Sequence, residues 1–279
     1  MSTLESTVDK PFEGRKIREY LKEVMGLSSR LIRGASLDKR IFINNVAVKM
    51  NYVLKENDKI LINLVKKESQ NIEPENLPLD IAYEDKDIIV INKGPNMVVH
   101  PTKSHQSGTL ANALLYYFKE TGQDCIVRLV SRLDRDTSGL IIVAKNQYAH
   151  MELSKEMQAN NIEKRYFALV HGHMENKEGT IDKPIYRPEV EGAFRRVIDE
   201  RGQRSITHYK VIESFEDADL VECLLETGRT HQIRVHLSSV GNPIYGDTLY
   251  GFEKDSEIIG RQALHAYGLS FKSPRTTKE

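Results

Sequence analysis

The chain has 279 residues, 39% hydrophobic and 29% charged, with 40 Lys/Arg against 40 Asp/Glu. That length allows one large domain plus a small one, the apolar content suffices for a core, and no apolar run approaches membrane-spanning length. The zero net charge is unevenly spread: residues 1–67 hold 14 Lys/Arg and 8 Asp/Glu, and the remainder holds 26 and 32. A basic head on an acidic body points to a polyanion as the head's partner, although an ordinary solvated helix surface reads the same way. The N-terminus shows no apolar signal-peptide core. Cys125 and Cys223 lie far apart without metal-type spacing, which suggests a reduced, cytoplasmic chain.

The first dozen residues read as a flexible tail. Ile17, Tyr20, Leu21 and Val24 recur at helical spacing, and Gly26 ends that helix. Ser28 or Ser29 can cap a second helix, which carries Arg30 and Arg33 one turn apart, as Arg15 and Arg18 are on the first. Short strands follow at Ile41–Ile43 and Lys59–Ile62, with Asn44-Asn45 as a turn that tolerates the left-handed conformation. Residues 66–78 are polar, contain two prolines and read as a linker.

A larger domain begins near Leu79. Strands are expected at 81–85, 88–92, 140–144, 165–170, 207–212 and 220–225. Helices are expected after Gly108-Thr109, around 147–159, and after Gly228, where Thr230 can cap and Ile233, His236, Leu237 and Val240 make the buried stripe. Strands outnumber helices, and many connections are too short for helical crossovers. The expected class is therefore α+β, a mixed, largely antiparallel sheet with flanking helices, plus a small α/β domain at the N-terminus.

Ser131-Arg132-Leu133-Asp134-Arg135-Asp136-Thr137-Ser138-Gly139-Leu140 carries the most chemistry. One aspartate sits between two arginines at the entry to a buried strand. Arginine neighbours favour an ionised carboxylate, and a positioned carboxylate can act as nucleophile or base. On spacing alone, Asp134 as a simple turn cap fits at least as well. Tyr166 in Lys164-Arg165-Tyr166-Phe167-Ala168-Leu169-Val170 reads first as a core tyrosine. Arg234 in Gly228-Arg229-Thr230-His231-Gln232-Ile233-Arg234-Val235-His236-Leu237 sits at the edge of an apolar stripe, where a cation can turn inward.

These three segments together resemble the RluA-type RNA pseudouridine synthases, over about 95% of the chain. The resemblance implies that Asp134 is the catalytic residue, that Tyr166 packs its ring against the target uracil, and that Arg234 pairs with the aspartate. The family's usual histidine before the arginine is Ser131 here, and its Lys-Pro-x-Gly turn is Lys93-Gly94-Pro95-Asn96. Residues 13–65 resemble an S4-type RNA-binding domain, which leaves 66–78 as linker and 79–279 as the catalytic domain. The segments 241–247 and 261–266 also match the family and read as structural. The chain stops at Glu279, earlier than related chains do, which leaves the C-terminal edge less covered.

The implied reaction isomerises a uridine within RNA and conserves every atom, so no cofactor is expected, in keeping with the lack of a phosphate-loop or dinucleotide pattern. No zinc-type spacing appears, and no metal is expected. RNA, in particular large-subunit ribosomal RNA, is the expected partner of a cytoplasmic monomer without a membrane association. Arg132, beside Asp134, is placed to fill the space of the flipped nucleotide or hold its phosphate. Arg15, Arg18, Arg30 and Arg33 are the expected backbone contacts of the head. Three alternatives stand beside this reading: a non-catalytic RNA-binding or ribosome assembly factor, transfer RNA as the substrate, and a glycosidase using Asp134 and Asp136 as a carboxylate pair.

Overall fold

The structure, a computed structural model, describes residues 3–64, 70–102, 104–189 and 194–275. Residues 66–69 of the expected linker and the extreme C-terminus, residues 276–279, lie outside it. The small N-terminal domain is a four-stranded antiparallel sheet in the order Thr3–Thr7, Lys59–Asn63, Ile41–Ile43, Val46–Ala47. The expected flexible tail is thus corrected in its first part. Thr3–Thr7 pairs along its length with Lys59–Asn63, because Leu4 adds a buried side chain to the core of this sheet. The helices Ile17–Glu23 and Ser29–Leu37 cover the sheet with Ile17, Tyr20, Leu21, Leu31, Ile32 and Ala35. Ser28 caps the second helix by accepting from the Leu31 amide at 3.2 Å. Asn44 and Asn45 both take positive φ, 48° and 68°, as the two-residue hairpin between Ile43 and Val46 demands.

The large domain is built on nine strands. Eight run in the order Glu178–Asp182, Ile206–Ser214, Ala218–Leu225, Glu163–His171, Leu264–Ser270, Ser138–Ala144, Ile88–Lys93 and Ile81–Glu84, and Arg128–Leu129 also pairs with Ser138–Ala144. Every pairing is antiparallel except that of Leu264–Ser270 with Ser138–Ala144. The α+β class expected from the alternating strands is the one observed. Helices cover both faces where the sheet is wholly apolar: Leu110–Glu120 packs on Ile89, Ile91, Ile141 and Val143, and Gln147–Gln158 packs on Ile88, Val90, Ile142 and Ala144. The continuous apolar run at 140–144 reflects that double cover. Tyr148 joins the core of the N-terminal domain, and the Lys155 ammonium donates to the Gly26 carbonyl at 3.3 Å, so this helix also seats the two domains together.

The parallel pairing holds the site in place. His265 faces Ser138 and Ala266 faces Gly139. Gly139 has φ +112°, and a Cβ there would lie 2.2 Å from the Ala266 carbonyl oxygen. Only glycine permits this contact, which ties the loop carrying Asp134 to the centre of the sheet. Gly139→Ala should lower stability by about 2 kcal/mol or more, from the forbidden conformation and the backbone clash together. A urea midpoint equal to that of the parent protein would contradict this account.

Candidate active site

Asp134 lies in the loop between Arg128–Leu129 and Ser138–Ala144. Leu133 packs against the apolar clusters on both sides of it, so the neighbouring carboxylate has a fixed direction. The loop is pinned from below. The buried Lys93 ammonium donates to the carbonyls of Gly94 at 2.7 Å and Arg135 at 2.9 Å, and the Met97 amide donates to the Arg135 carbonyl at 3.1 Å. Burial pulls the Lys93 ammonium down to about 8, against the opposing pull of Asp136 and Asp134. The Gln262 amide donates to the Thr137 hydroxyl at 3.2 Å, closing the loop's far end.

The cation at Asp134 is not one of its sequence neighbours. Arg135 turns away and grips Asp136 with bonds of 3.0–3.1 Å, and Arg132 projects into solvent. Arg234 supplies the contact: its Nη1 donates to Asp134 Oδ2 at 3.0 Å. Its Nε and Nη2 donate to the two oxygens of Asp247 at 2.6 and 2.9 Å. Asp247 is fully buried and also accepts from the backbone amides of Leu249 and Tyr250 at 3.1 and 3.2 Å. Burial works against the charge of Arg234, but Asp247 and Asp134 outweigh it and hold the guanidinium protonated. The Tyr250 ring lies 5.1 Å from the guanidinium carbon.

The helix Gln232–Ser239 presents Arg234. Its first residue is preceded by His231 in the left-handed conformation, φ +59°, so Thr230 does not cap it. No side chain caps the helix; the Gln232 carboxamide instead ties down the preceding turn, accepting from the Arg229 amide at 3.0 Å and the Thr227 hydroxyl at 2.8 Å. Of the expected stripe, Ile233, His236 and Leu237 are buried and Val240 is exposed; Gln232, Arg234 and Val235 are buried too, so the helix is enclosed on more than one face.

The bend at His231 swings its ring toward Asp134, with Nε2 3.8 Å from Oδ2. The tautomer follows from the neighbours. The Arg196 amide donates to the Tyr250 hydroxyl at 2.7 Å, which leaves that hydroxyl to donate to His231 Nδ1 at 2.8 Å. The neutral ring therefore carries its proton on Nε2, facing Asp134. Burial lowers the His231 pKa, and Arg234 and Arg196 lower it further against the opposing charge of Asp134.

These groups line one cleft of about 1190 Å³ that includes Arg132, Asp134, Tyr166, His231 and Arg234. Tyr166 comes from the strand Glu163–His171, and its hydroxyl has no hydrogen-bond partner among the described residues. Burial, and then the charge of Asp134, push its pKa up, so the phenol is neutral. The cleft thus offers one oriented carboxylate, one aromatic wall and cations at its mouth. Glu226 also lines it but is engaged by His208 at 2.7 Å. Asp136 does not line it, so the Asp134/Asp136 pair of a glycosidase is not formed.

Four of the expected site residues, Arg132, Asp134, Tyr166 and Arg234, are thereby brought together. Arg15, Arg18, Arg30 and Arg33 are exposed on the N-terminal domain and do not line this cleft. Arg15 is paired with Glu23 at 2.9 Å. Asp247, His231, Tyr250 and Lys93 were not legible as site residues. For Asp247 a signal exists in Gly246, whose φ of +75° and close approach to the Arg261 carbonyl fix the turn that aims it. Among the described residues, no helix is long and apolar enough to cross a membrane, and no cluster of three or more His, Cys, Asp or Glu could hold a metal.

A family model described as RNA pseudouridylate synthase matches residues 87–239. The RNA pseudouridine synthase YjbO of Bacillus subtilis is 42% identical over 93% of this chain and 91% of its own. The ribosomal large subunit pseudouridine synthase D of Escherichia coli K12 is 36% identical over 97% and 87%. Among solved structures, human RNA pseudouridylate synthase domain containing 1 superposes with a TM-score of 0.59 at 30% identity, covering 74% of this chain and 82% of that one.

Removing the carboxylate behind Arg234 leaves a buried charge with half its partners. Asp247→Ala should cost about 3–5 kcal/mol in urea unfolding, and Asp247→Asn, which retains an acceptor, should cost less. Equal, small losses for both would mean that Asp247 does not hold Arg234. By NMR, His231 should titrate below the ordinary histidine value of about 6.5, with the proton of the neutral ring on Nε2. A midpoint above that value, or a proton on Nδ1, would overturn the assigned hydrogen-bond chain.

Proposed function

The chain belongs to the RluA-type family of RNA pseudouridine synthases, and from that premise we propose that it modifies a uridine of large-subunit ribosomal RNA with Asp134 as its catalytic carboxylate. The enzyme is an isomerase: the N-glycosidic bond of a uridine breaks, the uracil rotates, and a carbon–carbon bond forms to the same sugar. The observation that carries the catalytic assignment is the Arg234–Asp134 contact of 3.0 Å, backed by the buried Arg234–Asp247 fork. It fixes one carboxylate at a point where a base displaced from its stack can reach it. Flipping costs a few kcal/mol. Tyr166 recovers part of that cost by packing against the uracil, since base–aromatic contacts contribute about 1–3 kcal/mol. Its largely buried ring is held by the sheet and loses little freedom on binding. Arg132, exposed at the mouth, holds the displaced nucleotide's phosphate or fills the gap it leaves.

Ribosomal RNA is favoured because relatives in Escherichia coli and Zymomonas mobilis are named ribosomal large subunit synthases. The N-terminal region, residues 13–65 with the added strand Thr3–Thr7, serves in this reading as an S4-type RNA-binding module. Residues 66–78 link it to the catalytic domain, 79–279. Arg18, Arg30 and Arg33 present charge with no carboxylate partner among the described residues, whereas Glu23 offsets Arg15. Such contacts add affinity and orientation without reading sequence.

Asp134→Asn should abolish pseudouridine formation in a large-subunit RNA transcript while leaving RNA affinity and the melting temperature nearly unchanged. The amide fills the same space but cannot act as nucleophile or base. Tyr166→Phe should retain binding, and Tyr166→Ala should lose it together with turnover. Turnover above a few per cent in Asp134→Asn would refute the catalytic assignment. An unmodified large-subunit RNA beside a modified transfer RNA, in cells that express the protein, would refute the substrate.

A further inference from the structure

A second cavity of about 510 Å³ opens beside the Asp134 cleft. Its walls are the strand Ile185–Tyr186 with Arg187, the segment 201–203, Arg196 and the turn at Gly228–Thr230. Arg132 lines both spaces, as do Arg187, Arg196 and Arg229. We infer that this annex is a second RNA subsite, which grips phosphodiesters of the strand adjoining the nucleotide held at Asp134. The inference rests on the reading that the Asp134 cleft receives a uridine.

The charge pattern carries it. Among the described residues, five arginines line the annex and no carboxylate does. This occurs on a body whose acidic residues outnumber its basic ones, 32 to 26 beyond residue 67. Arg201 is the exception among the five. Asp199 clamps it with bonds of 2.9 and 2.7 Å, and it lies 4.5 Å from the Tyr186 ring, so it closes a wall. Arg132, Arg187, Arg196 and Arg229 have no ion-pair partner among the described residues. Arg196 spends one N–H on the Phe194 carbonyl, and Arg229 spends its Nε on the Arg204 carbonyl, which leaves most of each guanidinium fork open. A concave surface lined by one sign of charge concentrates the potential that draws a polyanion. Forked, fixed guanidinium groups match phosphate oxygens.

The annex is also rigid at its base. Ile185 bridges to Gln203 with paired backbone bonds of 2.9 Å in both directions. A Cβ at Gly202 would lie 2.4 Å from the Ile185 carbonyl carbon, so only glycine lets the two segments close. Because Arg132 borders both spaces, a strand leaving the cleft enters the annex within reach of the same cation.

The test compares Arg187→Gln/Arg229→Gln with the parent, both side chains being exposed. The probe is a fluorescein-labelled decauridylate, its affinity measured across a series of KCl concentrations. Two lost phosphate contacts should reduce the log–log salt slope by about 1.4, at roughly 0.7 for each contact on a single strand. Arg187→Glu/Arg229→Glu should weaken binding further. An unchanged slope and affinity in both double variants, with melting temperatures equal to the parent's, would overturn the annex even if Asp134→Asn is inactive. A reduced slope together with an active Asp134→Asn would support the annex as an RNA contact and refute only the catalytic reading.

Discussion

Arg234 is more than nine-tenths enclosed by protein and still carries its charge, and the site depends on how that charge is balanced. An unpartnered buried cation costs several kcal/mol, so the fold must supply carboxylates within hydrogen-bond reach. Asp247 takes two of its N–H groups in a fork and is itself held by two backbone amides. The remaining arm can point only one way, and Asp134 is there. The catalytic candidate is thus aimed by a residue one hundred positions away, which is aimed in turn by a third that never meets the cleft. His231 adds a second donor direction, because Tyr250 and the Arg196 amide fix which ring nitrogen bears the proton.

The sheet makes this geometry possible. Asp134 precedes the strand Ser138–Ala144, and Tyr166 sits within Glu163–His171, with Leu264–Ser270 between the two strands. The parallel contact at Gly139 and Ala266 and the antiparallel contact at Tyr166 and Ala266 converge on one residue. A shift of register by one residue would turn Tyr166 to the opposite face of the sheet. Lys93 performs a related task for the loop itself. Its buried ammonium holds the Arg135 carbonyl, which keeps the backbone next to Asp134 from relaxing.

Charge is organised at two scales. The N-terminal domain carries a dispersed positive surface that suits weak, sequence-independent attraction to a polyanion. The large domain is acidic in sum but concentrates arginines around the cleft and its annex. A concave surface lined by one sign of charge concentrates the potential there.

The sequence by itself determined the class and most of the long elements, but not the strands Glu178–Asp182 and Leu264–Ser270. The strands expected at 165–170, 207–212 and 220–225 appear within two residues of those limits, because period-two patterning is a local property. The Asp134 and Arg234 segments were legible because their residue types and spacing are those of a known family. Thr3–Thr7 was not legible as a strand. Its one buried side chain gives no periodicity, and pairing with Lys59–Asn63 across more than fifty residues is what stabilises it. The identity of Asp134's cation was likewise decided by tertiary structure. Residue spacing alone favoured Arg132 and Arg135 and only the family resemblance pointed to Arg234; a tight turn sends adjacent side chains apart and leaves Arg135 closest to Asp136. Asp247, Tyr250 and the annex arginines come from segments distant from Asp134, and only the closure of the sheet, helix and hairpin brings their charges within a few ångströms. Electrostatic partnership depends on distance in space, which local sequence does not encode.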